Sequence, residues 1–250
     1  MVIAPWTARN CRVMDGCALV STNAGWNLAI GASPRATGRF ETLRAEDGCR
    51  EVTGQVQQDR CWLRAGLGWI GADPLRWLGL VPAKLGHTFD HESFPVGYLA
   101  EADKEGWPEA RRETTRRFLG ATHAALLCVA ALAFVRSPMR GRRGTVETAL
   151  GLAVVAGLAA LGALSDFHPF WLLAVALVAL ALVRRAGPGA DGPREGVLSY
   201  LACAVAVVGL TAIVFFGEDR YHVVITPALC ILAAAAMARP QCLTRPYADS

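Results

Sequence analysis

The segment Gly217-Glu-Asp-Arg-Tyr-His222 places two carboxylates, a guanidinium, a phenol and an imidazole between two strongly apolar runs. Arg220 with His222 can grip a phosphate through charge-assisted hydrogen bonds, and Tyr221 suits the aromatic belt at a membrane–water boundary. The same residues also read as a solvated turn in which Glu218 or Asp219 neutralises Arg220. Two other groupings carry less chemistry. His87 and His91 stand four apart beside Asp90 and Glu92, a spacing that serves zinc on a helix. Gly86 and Pro95 bracket that stretch as a loop, so no metal site is expected. Gly66-Leu-Gly-Trp-Ile-Gly71 matches G-x-G-x-x-G, but it lacks the preceding strand and following helix of a dinucleotide fingerprint. No cofactor is expected.

The elements that must position these residues are mostly apolar. Five runs, at residues 118–135, 146–164, 170–183, 197–216 and 223–238, follow one another with short connectors. The second and fourth meet the roughly 20-residue length of a membrane span; the third and fifth need their flanks. Composition agrees, with 53% hydrophobic residues and a mean hydropathy of +0.32. Connector charge gives the orientation. Arg136, Arg140, Arg142 and Arg143 lie between runs one and two, Arg184, Arg185 and Arg194 between three and four, and Arg239 and Arg245 after run five. The alternate connectors hold Asp166 and His168, then Glu218, Asp219 and Arg220. The positive-inside rule puts the arginine-rich side in the cytoplasm, against which Arg111, Arg112, Arg116 and Arg117 before run one are the exception. The expected organisation is an extracytoplasmic head at 1–117, a transmembrane bundle at 118–238 and a cytoplasmic tail at 239–250. Within the bundle, Ala149, Ala153 and Gly157 line one helical face, either for close packing or as a reflection of composition. His123 is the one ionisable side chain deep in a run, so it is either functional or within reach of water.

The head carries fifteen basic against fourteen acidic side chains, which gives no sign of a nucleic-acid surface. Cys11–Met14 and Cys17–Val20 flank Asp15-Gly16 as a predicted β-hairpin, residues 23–38 read as an ordered loop, and 56–70 as a helix. Asp73-Pro74 predicts an N-cap and first turn for a helix to about Leu85, and Pro108 opens a helix running into the first span. The predicted fold is thus membrane all-α behind a small mixed α+β head. Outside the cytoplasm its cysteines can pair: Cys11 with Cys17 is disfavoured by the hairpin register, while Cys49 with Cys61 is possible. Cys128, Cys203 and Cys230 read as small apolar fillers.

Several blocks resemble the GT-C polytopic bacterial glycosyltransferases, relatives of the protein mannosyltransferases and the lipid A aminoarabinose transferase. They are Pro5-Trp6-Thr7-Ala-Arg9-Asn10, Ser21-Thr22-Asn23-Ala-Gly25-Trp26-Asn27-Leu28-x-x-Gly31, Ala36-Thr37-Gly38, Trp69-Ile70 with Pro74, Lys84-Leu85, and Arg220-Tyr221-His222 followed by Pro227. The resemblance covers nearly the whole chain and implies a polyprenyl-phosphate-sugar donor, a lipid or glycan acceptor, and Asn23, Asn27, Arg220, Tyr221 and His222 near one of them. It also implies that the catalytic carboxylate, carried by a first outer loop, precedes Met1, so the chain reads as the C-terminal portion of such an enzyme, inactive alone. The alternative is a non-catalytic polytopic membrane protein, either a decayed remnant or a partner-binding subunit.

Overall fold

The computed structural model describes residues 2–135, 142–165, 167–187 and 192–238. Arg136, Arg140, Asp166, Arg239, Arg245, Cys242 and the middle of the glycine-rich 187–193 linker lie outside the described residues. The chain divides into two compact units, Met1–His87 with Leu210–Glu218, and Thr88–Gly209 with Asp219–Ser250.

The first unit contains α1 (Ala4–Val13), α2 (Ala24–Ala32), α3 (Gln55–Ala72), α4 (Pro74–Gly79) and most of α5 (Val81–Phe89). Its described residues form no strand; one isolated bridge, Arg39 with Gly217, is the sole extended pairing among them. The expected α+β head is therefore corrected to a helical one, and the hairpin is absent for identifiable reasons. Residues around Cys11 belong to α1, opened by Pro5 in its first turn. The following segment folds back onto that helix by side-chain bonds: Trp6 Nε1 donates to Val20 O at 2.8 Å, Thr7 Oγ1 to Leu19 O at 2.6 Å, and buried Asn10 Nδ2 to Ala18 O at 3.2 Å. Asp15 makes no hairpin turn. Its carboxylate accepts from Val56 N and Gln57 N at 3.0 and 2.9 Å, neutralising unpaired donors at the start of α3. Those two bonds, more than any other influence, hold the Asp15 carboxyl below its usual pKa. With the register argument gone, Cys11 pairs with Cys17, contrary to expectation, and Cys49 pairs with Cys61.

The stretch 23–38, expected as a loop, contains α2, packed face to face on α3. Gly25 makes this possible, since a Cβ there would meet the Asp59 carbonyl, and Gly66 of α3 lies against the Ala29 backbone. The G-x-G-x-x-G run is thus helix interior, used for helix contact at its first glycine and open at Gly68 and Gly71. Asp73 caps α4 as expected, accepting from Arg76 N at 2.9 Å. The helix stops at Gly79 and resumes as α5.

Two cations of this unit cap helix C-termini, where unpaired carbonyls attract positive charge. Arg76 Nη2 donates to Ala32 O, the last residue of α2, at 2.6 Å. Lys84, fully buried, donates from Nζ to Ile213 O at 3.0 Å near the end of α10 (Pro193–Val214), with the ammonium 5.0 Å from the Trp77 ring centre. Close approach of backbones surrounds it: a Cβ on Gly31 would strike the Phe215 carbonyl, and one on Gly217 the Lys84 carbonyl. Gly38, at φ +99°, turns its carbonyl to accept from Gly217 N at 2.7 Å.

The second unit contains α6 (Phe94–Ala102), α7 (Glu109–Ala131), α8 (Arg142–Leu164), α9 (Trp171–Arg185), the first part of α10, and α11 (Thr226–Met237). The helix opened by Pro108 does run unbroken into the first apolar stretch. Helix α7 packs on α9 and α11, burying Leu127, Ala130 and Ala131 of its own face, Leu173 and Leu177 of α9, and Leu229 and Leu232 of α11. Among the described residues four helical stretches are long and apolar enough to cross a membrane: Glu109–Phe134, Gly144–Leu164, Pro193–Val214 and Asp219–Met237. The chain is accordingly a multi-pass membrane protein by length and composition. Helix α9, the third expected span, has 15 residues and reaches only about 22 Å at 1.5 Å per residue, short of the roughly 30 Å hydrocarbon core. Ala149, Ala153 and Gly157 are exposed; the buried line on α8 is instead Gly144, Gly151, Val155 and Gly162. Arg184 leaves the expected loop population: it pairs bidentately with Glu195 at 2.7 Å, both side chains largely buried.

Two outcomes follow for solubilised protein. Gly31→Ala should lower unfolding stability by about 1–3 kcal/mol, because the obstacle is backbone, whereas Gly68→Ala should raise it by up to about 1 kcal/mol by removing a helix-interior glycine; thermal unfolding of each variant checks both. Burial pushes the Lys84 pKa down from 10.5 to about 8, so the unfolded chain binds the extra proton between those values. Stability should therefore rise with pH across roughly 8 to 10.5 relative to Lys84→Met, measured by unfolding at matched pH.

Candidate functional site

The loop joining α5 to α6, residues 90–93 with Thr88 at its entrance, organises a buried polar cluster in the second unit. Each residue has a local reason to be there. Ser93 is the N-cap of α6, but the start of that helix is capped from outside. Asp219 Oδ2 accepts from Ser93 N, from Ser93 Oγ at 2.9 Å and from Phe94 N at 2.7 Å. Asp219 is buried, and these donors replace the water it has lost. Asp90 caps a different helix, accepting from Trp171 N at the start of α9 at 2.5 Å. Burial raises its pKa from 3.8 to about 7, against the opposing pull of the Trp171 and Phe170 backbone donors.

His222 sits on the 3-10 segment Asp219–Ile225 that leads into α11, and none of its surface reaches solvent. Its Nδ1 lies 2.6 Å from Thr88 O. A carbonyl only accepts, so Nδ1 carries a proton and donates it there. His123, on α7 and 4% exposed, stacks on it with ring centres 3.9 Å apart and planes at 22°. The Nε2 atoms of both histidines are buried with no hydrogen-bond partner. Glu92, half-buried, completes the group: one ligand atom from each of Glu92, His123 and His222 lies within 4.8 Å of the others. His91 stands beside the cluster, its pKa lowered by burial first, with Asp219 opposing.

The residues expected to bind substrate are distributed differently. Arg220 and Tyr221, both half-exposed, stack on each other with the guanidinium 5.5 Å from the ring centre. His222, next in sequence, turns inward to the cluster instead. Asp219, offered as a neutraliser of Arg220, is committed to Ser93 and Phe94. Asn23 and Asn27 belong to the first unit, at the start of α2. Asn23 is exposed and Asn27 half-buried. His87 lies in α5 and His91 in the loop, so the helical histidine pair does not form. The expectation of no metal rested on that pair; the cluster draws on others. Glu92 stands in the sequence as a neighbour of His87 and His91, but its spatial partners are remote along the chain and no spacing rule connects them. The legible signal was His123, an ionisable side chain in an apolar run.

Asp90 supplies a pH test. The folded state keeps this proton up to about pH 7, while the unfolded chain releases it near 3.8. Its contribution is therefore complete at low pH and is lost as pH rises through that window. Relative to Asp90→Asn, the wild-type chain should lose stability between about pH 4 and 7, read from unfolding at a series of pH values.

Set beside known proteins, the chain gives no match to a family model, to a curated protein or to a solved structure.

Proposed function

We propose that the chain is the C-terminal portion of a GT-C type membrane glycosyltransferase, which takes a sugar from a polyprenyl-phosphate donor and delivers it to an extracytoplasmic lipid or glycan. The carrying observation is the Ser21-Thr-Asn-x-Gly-Trp-Asn block. Its glycine has a packing explanation, the contact of Gly25 with α3. Its two asparagines do not: neither side chain makes a hydrogen bond among the described residues, and four-residue spacing sets them on one face. Polar side chains held ready at a rigid helix start suit a hydroxyl-rich or phosphorylated ligand. Arg220, stacked on Tyr221 at the start of the last apolar stretch, suits a lipid phosphate at the interface. Two disulfides in the first unit support an oxidising, extracytoplasmic side for it. The arginine distribution supports a cytoplasmic C-terminus, with the short α9 counted as a crossing, and the resemblance supports a bacterial cell membrane.

A second reading is favoured by one observation. Buried Asp219 and half-buried Asp90 are both held by backbone donors, which leaves neither as the base that sugar transfer requires. On that reading the chain is a non-catalytic polytopic subunit. Binding and turnover separate the two. Solubilised chain should bind undecaprenyl phosphate, with Asn23→Ala, Asn27→Ala and Arg220→Ala each weakening it by about tenfold, near 1.4 kcal/mol. Absence of wild-type binding defeats the glycosyltransferase reading, and sugar transfer from a polyprenyl-phosphate donor in proteoliposomes defeats the non-catalytic one.

A further inference from the structure

We propose that Glu92, His123 and His222 bind a divalent transition-metal ion, zinc foremost. The three ligands come from separate parts of the second unit: the α5–α6 loop, the middle of α7 and the segment before α11. Folding alone brings them together.

Four observations converge on a cation. The two imidazole Nε2 atoms are buried and unpartnered, a condition that proteins rarely leave uncorrected. Their rings stack closely, so two imidazole nitrogens are confined near each other and near a carboxylate. Two imidazole nitrogens without hydrogen bonds beside a carboxylate make a ligand set rather than a hydrogen-bond network. Finally, the support expected around a metal histidine is in place: His222 donates its other N–H to the Thr88 carbonyl, which fixes both the tautomer and the ring orientation. Asp219, through Ser93 and Phe94, fixes the backbone that carries Glu92.

The donor types choose among metals. Two imidazoles and one carboxylate match zinc and its neighbours, while calcium and magnesium take oxygen ligands almost throughout. Tetrahedral zinc with bonds near 2.0–2.1 Å needs ligand atoms about 3.3 Å apart. The three atoms lie within 4.8 Å of one another, so loading the site draws them together by up to about 1.5 Å. Three protein ligands leave a fourth position for water or for an oxygen of a bound molecule, the pattern of open rather than purely structural zinc sites. The inference stands on this cluster alone and does not depend on sugar transfer.

The test uses the full chain, solubilised in detergent, purified through a tag without histidine and loaded with zinc before exhaustive dialysis. Elemental analysis should find about one zinc per chain, and cobalt substitution should give the visible absorption of a low-symmetry, four-coordinate ion. His123→Ala and His222→Ala should abolish both signals. Glu92→Gln removes a ligand from a half-buried loop without touching its backbone bonds, so it keeps the test valid if a histidine variant fails to fold. It should weaken zinc by roughly 10–100-fold or more with an unchanged gel-filtration profile. His168→Ala, outside the cluster, should retain full stoichiometry. Wild-type chain that emerges with no zinc and no cobalt spectrum overturns the proposal. So does zinc that persists undiminished in Glu92→Gln and either histidine variant, which would place the ion elsewhere, for example on cysteines.

Discussion

A carboxylate withdrawn from water is tolerated where donors replace its hydration, and Asp219 meets that condition with the backbone of Ser93 and Phe94 and the Ser93 hydroxyl. Much of the second unit's polar architecture hangs on this anchor. It caps α6, fixes the loop that carries Glu92, and sets the start of the 3-10 segment on which His222 turns inward. A second bond, from His222 to the Thr88 carbonyl, closes the same loop from its other end. Asp90, between the two, caps α9. One short loop therefore orients three helices by satisfying groups that cannot be left bare in a low-dielectric setting.

The first unit solves a different problem with the same currency of unpaired helix ends. Asp15 meets the amides of α3, while Arg76 and Lys84 meet the last carbonyls of α2 and α10. Glycine does the remaining work by absence: at positions 25, 31 and 217 neighbouring backbones occupy the volume a side chain would need. This recasts the Ser-Thr-Asn-x-Gly block as a mixture of structural and more open positions, with Gly25 and Gly31 as packing residues, Asn23 exposed and Asn27 half-buried.

The expected hairpin shows how local signals lose. Asp-Gly between short apolar segments is a sound turn signature, but a carboxylate is worth more at a helix start with open N–H groups than in a solvated turn. Asp15 is claimed by α3, forty residues away in sequence, and the disulfide partners change accordingly. Of the two readings of the small-residue line on α8, close packing is not made at Ala149, Ala153 and Gly157 among the described residues. Small residues permit close packing on whichever face a neighbour arrives, and the buried face is that of Gly144, Gly151 and Val155, with Val135 against Gly151.

What the sequence determined by itself were the properties that depend on near neighbours or on composition. These are the apolar stretches long enough for a membrane, the helix starts at Asp73-Pro74 and Pro108, the amphipathic α3 and the near-neutral first 117 residues. Hydrophobic length and capping are local, so they are readable in order along the chain. Tertiary structure alone decided which polar groups meet. Glu92, His123 and His222 are separated by tens of residues, and no spacing rule connects a loop, a mid-helix position and a 3-10 turn. Their convergence follows from the packing of α7 against α6 and α11, which sets the loop and the 3-10 segment beside the middle of α7 whatever their places in the chain.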